Sequence, residues 1–341
     1  MDKKGFNRRD YFKTTGAVAG LGIMGTMLGT PGDASGQVMQ KVMQRMGGLP
    51  PDRELDPSGG LSVVLIGTGS PLPNPDRACA STMVIAGDRA ICVDTGRGAW
   101  LRMAQAGLMN PHMLLYTHFH SDHIADFGEV MMNRFAIAGA DTPMPIVGPP
   151  GVKKMVNGIL DSFSMDKQYR IEHHGRAVSE KGYETEVTES QPGVILDDNG
   201  LKITMFEVEH WPVTPAVGYK FEYKGKSVVV SGDTKKVPIM TEVSQGCDVL
   251  VHDTMNRNMV EMAARNSDVR RAKMATDILD YHTMTDEVAE IARDAGVKKL
   301  VLTHMVPSPM NHVMEAMFVR GMRKTYKGPM KVGSDLMEIK A

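Results

Sequence analysis

Cysteine is scarce in this chain and scattered where it occurs. Cys79, Cys92 and Cys247 form no CxxC pair, which excludes a disulfide framework and leaves buried free thiols as the expectation. An excess of one charge is missing too: 39 Lys and Arg stand against 40 Asp and Glu. Composition therefore gives no reason to expect a polyanion-binding surface, and the basic runs Arg265 to Lys273 and Arg320 to Lys327 read as solvated helix faces. No long apolar run is unbroken. The uncharged stretch Thr14 to Gly32 is interrupted by six glycines (Gly16, Gly20, Gly22, Gly25, Gly29 and Gly32) and would span a membrane poorly. Gly67-Thr68-Gly69 lacks both the third glycine and the following helix of a dinucleotide fingerprint.

With 42% hydrophobic and 23% charged residues in 341 positions, the chain has the texture of a globular protein of one large domain or two ordinary ones. Its 29 methionines are expected as flexible core fillers. At the N-terminus, Asn7-Arg8-Arg9-Asp10-Tyr11-Phe12-Lys13 precedes the Gly/Ala/Leu-rich run. A charged segment before a short apolar one is an export signal, and the arginine pair resembles the bacterial twin-arginine signal. Residues 1–34 are thus expected to be a signal peptide, 35–60 a linker and 61–341 the catalytic domain, in a protein delivered to the periplasm or secreted.

Chemistry concentrates in Tyr116-Thr117-His118-Phe119-His120-Ser121-Asp122-His123. Four metal-capable side chains fall within six residues, directly after the apolar run Met113-Leu114-Leu115. Residues two apart on an extended chain point the same way, so His118 and His120 share a face. Asp122 and His123 then sit where the chain turns into a helix expected over Ile124 to Ile137. Imidazole and carboxylate at this density suit zinc.

The rest of the body reads as short strands separated by turns and helices. Strands are expected at Ser62–Gly67, Ser81–Ala86, Ala90–Val93, Pro145–Gly148, Leu201–Val208, Val217–Tyr223, Lys226–Ser231, Asp248–His252 and Lys299–Leu302. Asp94, His118, His210, Asp233, Asp253 and His304 each follow such a run. Polar side chains at successive strand mouths converge on one rim, where sites tend to form.

Together these residues resemble the metallo-β-lactamase fold, an α/β four-layer αββα sandwich with a dinuclear metal site, over about Leu61 to Glu338. The resemblance implies that His118, His120 and His210 hold one zinc, that Asp122, His123 and His304 hold the other, that Asp233 bridges the two Zn2+ ions, and that Asp94 orients the ligands. Gly67-Thr68-Gly69-Ser70-Pro71-Leu72-Pro73 with Arg77, and His282-Thr283-Met284-Thr285, resemble the branch containing tRNase Z and the metallo-β-lactamase-type arylsulfatases. His252-Asp253-Thr254 stands where that branch has His-Glu-Ala-Thr, so Asp253 takes the glutamate's place beside His282. Asp122, Asp253 and His282 are the implied catalytic residues, with His282 protonating the leaving group after attack by a metal-bound hydroxide.

The tRNase Z family inserts a tRNA-gripping arm between the positions of His210 and Asp233, and the interval here accommodates a hairpin only. His210-Trp211-Pro212 and Tyr169-Arg170-Ile171-Glu172-His173-His174-Gly175 look like the arylsulfatase type. The leading expectation is therefore an arylsulfatase-like hydrolase of a sulfate or phosphate ester. The alternative is a phosphodiesterase or tRNase Z-like nuclease, or a lactonase. Other classes are an iron-dependent redox member and a silent binding protein. The expected partners are a small-molecule ester, no nucleic acid, the twin-arginine export machinery and, as is common in the resembling families, a second copy of the chain.

Overall fold

The computed structural model describes residues 52–341. The twin-arginine segment and most of the expected linker lie outside the described residues.

The first sheet is built from β1 (Leu61–Gly67), β2 (Ser81–Ala86), β3 (Arg89–Val93), β4 (Met113–Leu115), β5 (Met144–Gly148) and β6 (Thr185–Glu189). The helices that connect them are α1 (Ala99–Ala106), α2 (Ser121–Ile124), α3 (Phe127–Ala136), α4 (Val152–Ser162) and α5 (Ser164–His174). The second sheet holds β7 (Gly193–Asp198), β8 (Leu201–Glu207), β9 (Val217–Tyr223), β10 (Lys226–Val230), β11 (Val249–Met255), β12 (Leu300–Val306) and β13 (Met330–Val332). Its helices are α6 (Pro238–Val243), α7 (Arg257–Arg265), α8 (Val269–Asp277), α9 (Thr285–Asp294), α10 (His312–Phe318) and α11 (Met322–Thr325). The chain then returns to the first sheet as β14 (Glu338–Lys340). The strand orders are β14-β1-β2-β3-β4-β5-β6 and β13-β12-β11-β10-β9-β8-β7, seven strands each.

Each sheet is antiparallel on one side and parallel on the other. The change falls at β3/β4 in the first sheet and at β10/β11 in the second. The parallel strands need crossovers, and helices supply them. Both faces of the central strands are covered, so they read as nearly continuous apolar runs. Within β1, Val63 and Leu65 enter the core between the sheets while Val64 and Ile66 enter the core beneath the helices. β11 divides in the same way, with Val249 and Val251 between the sheets and Leu250 under the second helical layer. Period-two alternation thus feeds two cores at once, giving the layer order helix, sheet, sheet, helix of the expected αββα sandwich.

Three sequence expectations change. The helix after the His cluster is broken: α2 carries Asp122 and His123 in its single turn, and α3 starts only at Phe127. Asp253 and His304 lie inside β11 and β12 rather than beyond their ends, because both strands run past the site, with a register shift at Asp253/Thr254. The last part of the expected linker, 52–60, is irregular but fastened to the domain. Asp52 accepts from the Met109 N–H at 2.7 Å, Arg53 pairs with Glu338 through contacts of 3.1 and 2.9 Å, and the Lys224 ammonium donates to the Ser58 and Gly59 carbonyls.

Candidate metal centre

The loops between the two sheets bring the singled-out side chains into one place. β3 leads directly into Asp94, which adopts φ 61°, a left-handed conformation that short polar side chains tolerate better than most. Its carboxylate accepts the Thr117 N–H at 2.8 Å and the Thr117 hydroxyl at 2.7 Å, and lies 2.7 Å from His123 Nδ1. The Thr117 proton is committed to Asp94, so Thr117 Oγ1 accepts from His118 Nδ1 at 3.0 Å. One buried carboxylate therefore fixes two imidazoles, each with Nε2 left for the centre.

His210 and His282 follow the same rule. His210 Nδ1 donates to the Tyr281 carbonyl at 2.9 Å. His282 Nδ1 donates to Asp253 Oδ2 at 3.0 Å, so the aspartate in the glutamate's place does reach its partner. Metal-binding histidines commonly hold their second nitrogen in such bonds, which set tautomer and ring orientation. On the far side of Asp253, the buried His252 places Nδ1 3.0 Å from Oδ1.

Asp233 follows Gly232, whose φ of 65° and proximity to the Val217 carbonyl, 2.6 Å from where a Cβ would stand, exclude a side chain. Asp233 Oδ2 lies 3.3 Å from His123 Nε2, 3.4 Å from His304 Nε2, and 3.8 Å from both His118 Nε2 and His210 Nε2. His118 Nε2 and His120 Nδ1 are 3.0 Å apart, His210 Nε2 and His120 Nδ1 3.3 Å, and His304 Nε2 and Asp122 Oδ2 3.0 Å. Donors placed ~2.0–2.1 Å from a tetrahedral ion are separated by ~3.3 Å along each polyhedron edge, so these spacings are those of ligand shells. His118, His120, His210 and Asp233 form one donor group and Asp122, His123 and His304 another. The buried His123 Nε2 and Asp233 Oδ1 have no hydrogen-bond partner, a costly state that an ion would relieve. The residues fit a metal.

The electrostatics agree for His118, His210 and the two carboxylates. Burial holds His118 well below the usual imidazole range and lowers His210 to about 4, so both are neutral ligands at pH 7. Burial opposes ionisation of Asp233, yet His304 and His123 outweigh it and hold the carboxyl well below the usual range. Asp122 is likewise lowered to about 2: burial opposes this, and the bond to His304 and the charges of His123 and His304 prevail.

Above the centre opens a cavity of about 530 Å³. His120, Asp122, Asp233, His282 and His304 line it together with Pro71, Leu72, Arg270, Arg271 and Met274. His282 stacks on His304 with ring centroids 5.3 Å apart. With Asp233 and His304 it forms a third group within ligand range, so its position suits either proton transfer or ligation. Every site residue singled out in the sequence is brought here, with Asp94 behind His123 and Asp253 behind His282. His173 and His174 lie exposed at the end of α5, and Trp211 is 73% exposed. Sequence reading missed Thr117, Tyr281, Arg270 and Arg271. Thr117 and Tyr281 adjoin His118 and His282 in the chain, which was the available signal. The arginines belong to a basic run read as solvated helix surface.

The description "Beta-lactamase superfamily domain" matches residues 89–305. Ribonuclease Z of Mycobacterium bovis (strain BCG / Pasteur 1173P2) is 38% identical over 283 residues, covering 82% of this chain and 98% of that protein. Among solved structures, the metallo-beta-lactamase fold protein YhfI from Bacillus subtilis has a TM-score of 0.60 at 18% identity, covering 83% of this chain and all of that one. Human tRNase Z, short form, has a TM-score of 0.59 at 17% identity, with 82% and 98% covered. At such identities the two structures speak for the fold alone.

The ribonuclease relatives overturn the expectation of a small-molecule ester substrate with no nucleic-acid partner. That expectation rested on net charge, which says nothing of where charge sits, and on the short interval from His210 to Asp233, which excludes an insertion at that point only. They also favour the alternative nuclease reading over the arylsulfatase one. Fold, donor set and relatives agree: the chain belongs to the beta-lactamase superfamily and is a metal-dependent hydrolase.

Proposed function

We propose that this protein is a zinc-dependent phosphodiesterase that cuts RNA. The observation that carries the reading is the 38% identity with a ribonuclease Z across nearly that protein's whole length. The dyad of His282 and Asp253 beside the two donor groups supports it.

His118, His120 and His210 would hold one ion and Asp122, His123 and His304 a second, with Asp233 available to both. Zinc bound there would supply Lewis acidity toward a phosphoryl oxygen and would lower the pKa of water to about 7. Asp122, ionised down to about pH 2, accepts a hydrogen bond from the attacking water and aligns it. His282 offers Nε2 to the leaving ribose oxygen, its ring held by Asp253, and delivers the proton that an alkoxide of high pKa requires.

The test is a parallel assay of the zinc-loaded chain on a structured RNA with an unpaired 3′ extension, on bis(p-nitrophenyl) phosphate and on an aryl sulfate. Site-specific RNA cleavage is expected. Turnover of the sulfate with intact RNA would reverse the reading.

Metal removal gives a prediction independent of activity. A ligand at about a hundred times its dissociation constant stabilises the native state by ~2.7 kcal/mol, and 1 kcal/mol shifts Tm by roughly 2–4 °C in a domain of this size class. Chelation is therefore expected to lower Tm by about 5 °C or more, and added zinc to restore it. A Tm indifferent to chelator would argue against a metal at this centre.

A further inference from the structure

The interval between His210 and Asp233 holds the hairpin of β9 and β10 and no arm, so an RNA substrate must be gripped elsewhere. α7 and α8 lie between β11 and His282 and form one wall of the catalytic cavity. α8 buries none of its residues. Asp268 caps it by accepting the Arg271 N–H at 3.0 Å. Ala275 of α8, with Ile278 and Leu279 just after it, rests on a small satellite core of Met255, Val260, Met284 and Val306. A helix that contributes so little to the core is free to serve the cavity.

Its side of the cavity carries Arg270 and Arg271. Arg270 has no carboxylate within ion-pair distance among the described residues, and Arg271 meets only the exposed Asp268 at 3.4 Å. An exposed pair of that kind is weak and readily exchanged. The acids lining the same cavity are Asp122 and Asp233, both committed to the donor groups. A guanidinium matches two phosphate oxygens at once. Leu72 (62% exposed) and Met274 (58% exposed) offer apolar surface to the same space, as the face of an unpaired base requires.

Resting on the RNA reading, we propose that α8 is the substrate clamp: Arg270 and Arg271 hold backbone phosphates of the single strand flanking the scissile linkage, and Leu72 and Met274 cover one of its bases. The clamp takes the part that an inserted arm would play, and it explains how a chain without net positive charge can hold a polyanion.

The experiment compares the zinc-loaded full chain with Arg270→Ala/Arg271→Ala and Arg270→Lys/Arg271→Lys. Binding of a fluorescein-labelled oligoribonucleotide is read by anisotropy across a KCl series, and cleavage is measured on the same oligonucleotide and on bis(p-nitrophenyl) phosphate, which has no flanking phosphate. Loss of a charge-assisted contact should raise Kd about tenfold per arginine. The dependence of log K on log salt should flatten by about 0.7 per contact on a single strand. In the alanine pair kcat/KM should fall at least about tenfold further on the oligonucleotide than on the small diester, with the lysine pair recovering the salt slope but only part of the affinity. Unchanged binding and slope, or equal losses on both substrates, would overturn the clamp. Arginine-dependent binding without cleavage by the parent protein would uphold the clamp and refute the nuclease reading; neither binding nor cleavage would refute both.

Discussion

Asp233→Ala is expected to abolish hydrolysis, with kcat/KM falling by more than about a thousandfold, equivalent to ~4 kcal/mol of transition-state stabilisation. Asp233 Oδ2 lies within 3.8 Å of His118 and His210 in one donor group and of His123 and His304 in the other, so its loss weakens both positions together. Burial opposes charge on His123 and His304, yet Asp233, with Asp94 beside the first and Asp122 beside the second, holds both above the usual imidazole range. In the variant His123 keeps its contact with Asp94 and His304 its contact with Asp122, and the cores of the sandwich are untouched, so the fold itself should survive. Metal content by mass spectrometry and Tm of the purified variant separate the two effects. Less than one ion per chain with cooperative unfolding retained is the expected pair of results. Full metal occupancy together with parental activity would remove Asp233 from the centre.

His282→Ala is expected to lower RNA cleavage by about a hundredfold to ten-thousandfold, the range of a positioned general acid. Cleavage of bis(p-nitrophenyl) phosphate should fall by less than about tenfold, because p-nitrophenolate leaves without a proton. The contrast is the diagnostic quantity, since a merely structural histidine would cost both substrates equally. Metal content settles the other chemistry open to this ring, which lies within ligand range of Asp233 and His304. Retained metal with the differential loss assigns it proton transfer; lost metal assigns it ligation. Asp253→Asn keeps an acceptor for His282 Nδ1 but removes the charge that stabilises the protonated ring, and an intermediate loss of roughly 10–100-fold is expected.

The legible and illegible parts of this protein divide by range. The strands around the site were readable because apolar runs closed by Gly-Asp or Lys-Gly turns carry their signal locally. So was the cluster from His118 to His123, whose donors are neighbours in the chain. Local pattern placed a single helix after that cluster, but the structure breaks it, because Asp122 and His123 must face the centre from one turn while Asp126 starts a second helix with its own buried face.

The sequence by itself determined which residue types reach the rim of the sandwich: Asp94, His118, His210 and Asp233 follow their strands, and Asp253 and His304 sit within the last residues of theirs. Only the tertiary structure decided how they are shared out. That Thr117 links Asp94 to His118 depends on neighbouring strand ends of the first sheet, that His282 meets Asp253 on the approach of a distant loop to β11, and that Asp233 stands between two donor groups on contacts between the two sheets, none of which local spacing encodes. The same holds for Arg270 and Arg271. In the sequence they are two charges in a basic run, indistinguishable from any solvated helix face, and net charge averages them away. The docking of α8 over a small satellite core places them in the lining of the cavity at the metal centre, and the proposed clamp rests on that local placement rather than on the overall charge.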